Sequence, residues 1–251
     1  MNKMLNKVPE VTLYFWIIKV LATTVGETAA DFLSETLHLG LTGTSYVMSA
    51  VLLIVLFIQF RSKKYIPAIF WLAVVLLSIV GTLISDNLVD NLGVSLATTS
   101  IIFGSALILV FIIWYATEKT LSVDNINTTK KEFFYWLAIL FTFSLGTSAG
   151  DLIAESSGLG YAYAALLFTG VILLVFIAYK FFRMNAILSF WIAYILTRPL
   201  GATLGDLLSQ TVKDGGLGLG ATLTSIIFLL TILILVIYLT IQEKKKVSIA
   251  I

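Results

Sequence analysis

The sequence predicts an all-α membrane protein whose eight transmembrane helices form four tandem helical-hairpin repeats. The repeats run parallel around a pseudo-fourfold or two-plus-two core, with both termini cytoplasmic. Three observations lead there. Hydrophobic residues make up 59% of the 251 and charged residues 12%, and the mean hydropathy is +1.02, a composition foreign to soluble domains. Charged and turn-forming residues divide the chain into apolar stretches near the roughly 20 residues that a helix needs to cross a bilayer. A spaced triad, tryptophan, then glycine ten residues later, then aspartate five after that, occurs four times: Trp16, Gly26, Asp31; Trp71, Gly81, Asp86; Trp136, Gly146, Asp151; Trp191, Gly201, Asp206. A fixed offset in four copies marks one structural unit used four times.

The apolar stretches run from Val11 to Glu35, Leu41 to Phe60, Ile66 to Asp90, Val94 to Thr117, Phe133 to Glu155, Gly160 to Phe182, Ala186 to Gln210 and Leu219 to Ile241. Long runs without polar alternation, such as Ile226 to Ile241, favour helices over barrel strands. Each repeat carries its motif on the first helix and returns through a short turn, giving repeats at about 11–60, 66–117, 131–182 and 186–242 within a single integral domain, 1–251. The tryptophans are 55, 65 and 55 residues apart, and the longer interval holds a polar linker, 117–131, between two halves. Two helices per unit bring the chain back to the same side, so the units are related by an axis along the membrane normal.

Basic residues set the orientation. Lys3 and Lys7, then Arg61, Lys63 and Lys64, then Lys119, Lys130 and Lys131, then Lys180 and Arg183, and finally Lys244, Lys245 and Lys246 fall at alternate connections, whereas the intervening ones hold only Lys213. The positive-inside rule therefore places the termini and the even-numbered connections in the cytoplasm, as expected of a multi-pass membrane protein. The net charge of +2 is spread over these short segments and gives no reason to expect nucleic acid. With no cysteine, thiolate ligands and disulfides are excluded. The oligomeric state is open.

Carboxylates carry the functional expectation. Four residues after each motif aspartate, one turn on, stand Glu35, Asp90, Glu155 and Gln210; four before stand Glu27, Thr82, Thr147 and Ala202. An unpaired acid at mid-bilayer costs at least about 2.5 kcal/mol, and only Lys19 and Arg198 lie deep enough to act as counter-ions or structural ion pairs. Asp31, Asp86, Asp151 and Asp206 are thus expected to bind or relay a cation. Glu27, Glu35, Asp90 and Glu155 extend the pathway or form an electronegative vestibule, and Thr82 and Thr147 add oxygen ligands. Oxygen-rich, sulfur-free surroundings suit hard ions such as Mg²⁺, Ca²⁺ or Mn²⁺, or protons, with the four aspartates as the metal ligands. The lone His38 cannot build a multi-histidine zinc site. The motif glycines read as helix contacts. The tryptophans read as packing residues or as a cytoplasmic aromatic belt, which would set each aspartate roughly 22 Å further along its helix.

The opening Lys7-Val-Pro-Glu-Val-Thr-Leu-Tyr-Phe-Trp16-Ile-Ile-Lys-Val-Leu and the following Gly26-Glu-Thr-Ala-Ala-Asp31-Phe-Leu resemble a bacterial membrane-protein family of four tandem repeats, family 347 of the domains of unknown function. Each of its repeats has two membrane helices and a tryptophan. The resemblance implies an integral, multi-spanning protein and supplies no substrate or catalytic residue. Arg198-Pro199 and Gln210 set the fourth repeat apart.

The expected function is a secondary transporter or exporter of a small inorganic cation, divalent and such as Mn²⁺ or Mg²⁺, exchanged for protons. Its partners are the lipid bilayer, the cation and protons, and the divalent ion is substrate; no cofactor is called for. A cation channel, a structural or sensory membrane protein and a carrier of small organic cations are the alternatives. An enzyme is not expected, because no nucleophile and base pairing, zincin helix or phosphate loop is present.

Overall fold

A computed structural model describes residues 6–249, with side chains to residue 245; Lys3 and Lys246, used above for orientation, lie outside these described side chains. Eight long helices follow in order: α1 (Leu13–Asp31), α2 (Gly40–Arg61), α3 (Pro67–Asp86), α4 (Leu96–Glu118), α5 (Thr129–Asp151), α6 (Tyr161–Phe181), α7 (Ala186–Ser209) and α8 (Ala221–Ile249). The described residues contain no strand. Seven of the eight are long and apolar enough to cross a membrane, which makes this a multi-pass membrane protein. The exception to the expected eight is α1, because Lys19, Glu27 and Asp31 share its 19 residues.

The four motif helices form a closed ring in which α1 packs on α3, α3 on α5, α5 on α7 and α7 on α1. The glycines explain the close approach. A Cβ on Gly26 would run into Ser78, on Gly81 into Phe143, on Gly146 into Arg198 and on Gly201 into Thr23. Each obstacle stands three residues before the glycine of its own repeat, so one contact is used four times around the ring. The residue before each tryptophan repeats the pattern: Phe15 meets Trp71 (5.5 Å between centroids), Phe70 meets Trp136 (5.3 Å), Tyr135 meets Trp191 (6.4 Å) and Phe190 meets Trp16 (5.7 Å). Trp71, Trp136 and Trp191 are buried and Trp16 is half-buried. The tryptophans therefore pack one end of the ring and do not form a lipid-facing belt.

The outer helices correct the simplest picture of self-packed hairpins. Each leans on the motif helix of the next repeat, α2 on α3, α4 on α5 and α6 on α7, and α8 closes the series on α1. Hydroxyls on the outer helices fasten these joints: Asn87 Nδ2 donates to Ser45 Oγ (2.8 Å), Ser100 Oγ to Ser148 Oγ (3.1 Å) and Ser225 Oγ to Thr28 Oγ1 (2.8 Å). At the aromatic end, residues 6–12 cross beneath the ring. Asn6 Oδ1 accepts from the Ile126 amide (3.0 Å) and the Lys7 amide donates to the Ile126 carbonyl (3.1 Å), while Val123 and Ile126 of the linker are buried. Lys7, counted above among the cytoplasmic basic residues, is buried as well. Its ammonium is paired with Glu132 Oε2 at 2.6 Å and donates to the Phe60 carbonyl at 3.1 Å. Gln59 Nε2 completes the carboxylate, donating to Oε1 at 3.0 Å.

The ring contacts make a specific expectation. Gly81→Ala places a methyl carbon 2.6 Å from Phe143 Cβ and 3.2 Å from the Ser144 amide nitrogen, and overpacking of this kind costs about 1–3 kcal/mol. Gly43→Ala and Gly170→Ala, on outer helices, meet nothing within 4 Å, and helix propensity makes these neutral or stabilising by up to about 1 kcal/mol. Thermal unfolding in detergent should rank Gly81→Ala well below the other two. Equal midpoints would refute the ring packing.

Candidate functional site

At the end opposite the tryptophans the motif helices change conformation. Directly after Asp31, Asp86 and Asp151 the chain makes one π turn each, Phe32–Thr36, Asn87–Asn91 and Leu152–Ser156. Their wide hydrogen bonds run from the Leu37 amide to the Phe32 carbonyl (3.0 Å), Leu92 to Asn87 (3.1 Å) and Ser157 to Leu152 (3.1 Å). Such turns are uncommon and concentrate at functional sites. The fourth repeat has none. There α7 stops at Ser209, Gln210 is extended, and the glycine-rich return folds back over the helix end. The amides of Leu217, Leu219, Gly220 and Gly218 donate to the carbonyls of Leu207, Leu208, Ser209 and Gln210, satisfying the acceptors that a helix terminus leaves free.

These four helix ends surround one cavity of about 330 Å³. All eight carboxylates singled out from the sequence line it: the motif aspartates Asp31, Asp86, Asp151 and Asp206, then Glu27, Glu35, Asp90 and Glu155, with Gln210 completing the outer tier. They lie in layers. Glu35, Asp90 and Glu155 are exposed at the mouth, Asp31, Asp86 and Asp151 are half-buried below them, and Asp206 and Glu27 are buried. Glu155 Oε1 accepts from the Tyr161 hydroxyl at 2.9 Å. Among the described residues, none of the four motif aspartates has a side-chain hydrogen bond or ion pair.

One turn deeper, Arg198 closes the ring. Its guanidinium is fully buried and pairs with Glu27 Oε2 at 2.9 Å. It also donates to Thr147 Oγ1 at 2.6 Å and to Thr82 Oγ1, and it reaches the Thr23 carbonyl at 3.5 Å. Arg198 thereby joins α7 to the other three motif helices. Equivalence explains why it fits. Glu27, Thr82 and Thr147 occupy the same repeat position and Ala202 is the fourth member, so its missing side chain leaves the space that the guanidinium takes. Thr82 and Thr147, expected to admit water or add oxygen ligands, accept from Arg198. Of the two expected counter-ions, Arg198 is an ion-pair partner and Lys19 is not. Lys19 Nζ lies deeper, without a hydrogen bond, between the rings of Phe143 (4.4 Å) and Tyr194 (4.3 Å).

Among the described residues, no three acidic, histidine or cysteine side chains stand close enough to hold one bare metal ion. The four aspartates share a cavity without forming a preformed metal centre. His38 lies exposed in the turn after α1, at positive φ. Three features escaped the sequence reading: the π turns, the Lys7–Glu132–Gln59 cluster and the aromatic residue before each tryptophan. Only the last had a visible signal, in the dipeptides Phe15-Trp16, Phe70-Trp71, Tyr135-Trp136 and Phe190-Trp191.

The family described as Repeat of Unknown Function (DUF347) matches residues 14–65, 69–120, 134–185 and 189–245. The chain belongs to this family. Each DUF347 match opens two residues before the motif tryptophan and takes in the outer helix, all of it in the first three repeats and up to residue 245 in the fourth, so the repeats seen in packing and in sequence coincide. Within this DUF347 chain the cavity is the place where all four repeats contribute one equivalent carboxylate. No curated protein and no solved structure matches the chain.

Proposed function

We propose that this protein is a secondary transporter of a small inorganic cation, divalent in charge and exchanged for protons across a bacterial cytoplasmic membrane. In this reading all eight helices span the bilayer, α1 shielding its ionisable groups inside the ring. The positive-inside distribution puts the aromatic end and both termini in the cytoplasm, so the carboxylate cavity faces outward. The observation that carries the reading is the convergence of eight carboxylates from the four motif helices on one cavity, because buried acids without partners need protons or a cation to offset their charge. The same acids can exchange one for the other, which is the chemistry of proton coupling. Arg198 with Glu27 at the cavity floor, and the aromatic packing around Lys19 beneath, favour alternating access over a channel, since a conducting pore would have to pass a buried guanidinium.

In proteoliposomes, Mn²⁺ or Mg²⁺ flux should follow an imposed proton gradient. Asp31→Asn and Asp206→Asn should each lower it at least tenfold while the protein stays folded. Undiminished flux in both variants removes the aspartates from the mechanism, and rates of channel scale remove the transporter.

A further inference from the structure

We infer that the cavity takes its cation with the hydration shell in place, recognising a hexahydrated divalent ion through outer-sphere hydrogen bonds. The inference rests on the transport reading and names its substrate class. The cavity measures about 330 Å³; at about 30 Å³ per water it holds an ion with six waters and several more besides. Among the described residues, no three carboxylates stand close enough together to strip and ligate one ion.

Asp206 supplies the independent observation. It is 6% exposed, lines the cavity, and its carboxylate has no hydrogen bond or ion pair among the described residues. A buried carboxylate wants both positive charge and donors to its oxygens. A bare ion at a distance offers only charge, and water alone offers only donors. A hydrated divalent ion offers both, its shell presenting polarised O–H groups in every direction. Mg²⁺ is the hard ion that gives up its waters most reluctantly. The lining holds no aromatic ring, so a quaternary ammonium lacks the faces that normally bind it.

Hexaamminecobalt(III) is the probe, because its six ammines mimic the hydrated ion in size and donor pattern and do not exchange. With purified full-length protein in nanodiscs, calorimetric titration should show Mg²⁺ and hexaamminecobalt(III) competing for one site, and Asp206→Asn should weaken both at least tenfold. Binding of Mg²⁺ or Mn²⁺ without binding of the hexaammine overturns the inference and leaves the transport reading intact. Failure of all three to bind overturns both. Binding untouched by Asp206→Asn overturns the assignment to this cavity.

Discussion

Arg198→Ala should destabilise the protein by about 3–5 kcal/mol, the cost of leaving one half of a buried ion pair uncompensated. The substitution strands Glu27 at the cavity floor and removes the donor that Thr82 and Thr147 share. It also opens a void between four helices that meet at this one side chain. The measurement is chemical or thermal unfolding in detergent, with Arg198→Met paired with Glu27→Leu as the decisive companion. The apolar pair should recover most of the loss, because exchanging a buried pair for packed hydrophobic residues is close to neutral. A single variant within about 1 kcal/mol of the wild type, or a double variant no better than the single, would contradict the role given to the pair.

Glu132→Ala is the second large effect, again about 3–5 kcal/mol by the same physics, at the opposite end of the bundle. It strands the Lys7 ammonium, which is 1% exposed, beneath the ring. Only the Phe60 carbonyl would still accept from it, and Gln59 would lose its acceptor. The least costly relaxation is withdrawal of residues 6–12 from the linker. Amide exchange at Lys7 and Ile126, joined in the parent by the Lys7 amide and Ile126 carbonyl and by Asn6, should therefore rise by far more than exchange at Ala138 or Ile139 in the ring. Uniform loss of protection throughout the bundle, or none, would argue against a local latch.

Fold and site were legible to different depths. The spacing of Trp16, Gly26 and Asp31, repeated three times more, fixes a repeat without reference to anything distant, and the helix limits follow from apolar runs between charges. Which helix stands beside which is a long-range property. Adjacent hairpin partners were the economical guess, whereas Ser45 bonds to Asn87 of the next repeat. The eight carboxylates could be gathered because each keeps its place in the unit. The partner of Arg198 could not, since Glu27 lies 171 residues away and becomes a neighbour only when α7 closes on α1. Ala202 was the available clue: one small residue among Glu27, Thr82 and Thr147 announces a space to be filled. The π turns had no comparable signal, because Phe32, Asn87 and Leu152, which open them, share no chemistry that favours a wide turn.

The displacement of every outer helix onto the following repeat has a consequence for how the molecule is held together. Each joint is head-to-tail, and the fourth is made by the last helix on the first. This is the geometry of a heterologous assembly that closes, written into one chain. Three covalent connections between repeats run alongside three of these joints, so the chain has the arrangement of a ring of four units tied in three places. The untied joint, between α8 and α1, is the one bridge that rests on side chains alone. There Ser225 and Thr28, together with the Arg198–Glu27 pair between α7 and α1, do the work that elsewhere is shared with the chain, so that seam is closed by buried polar side chains.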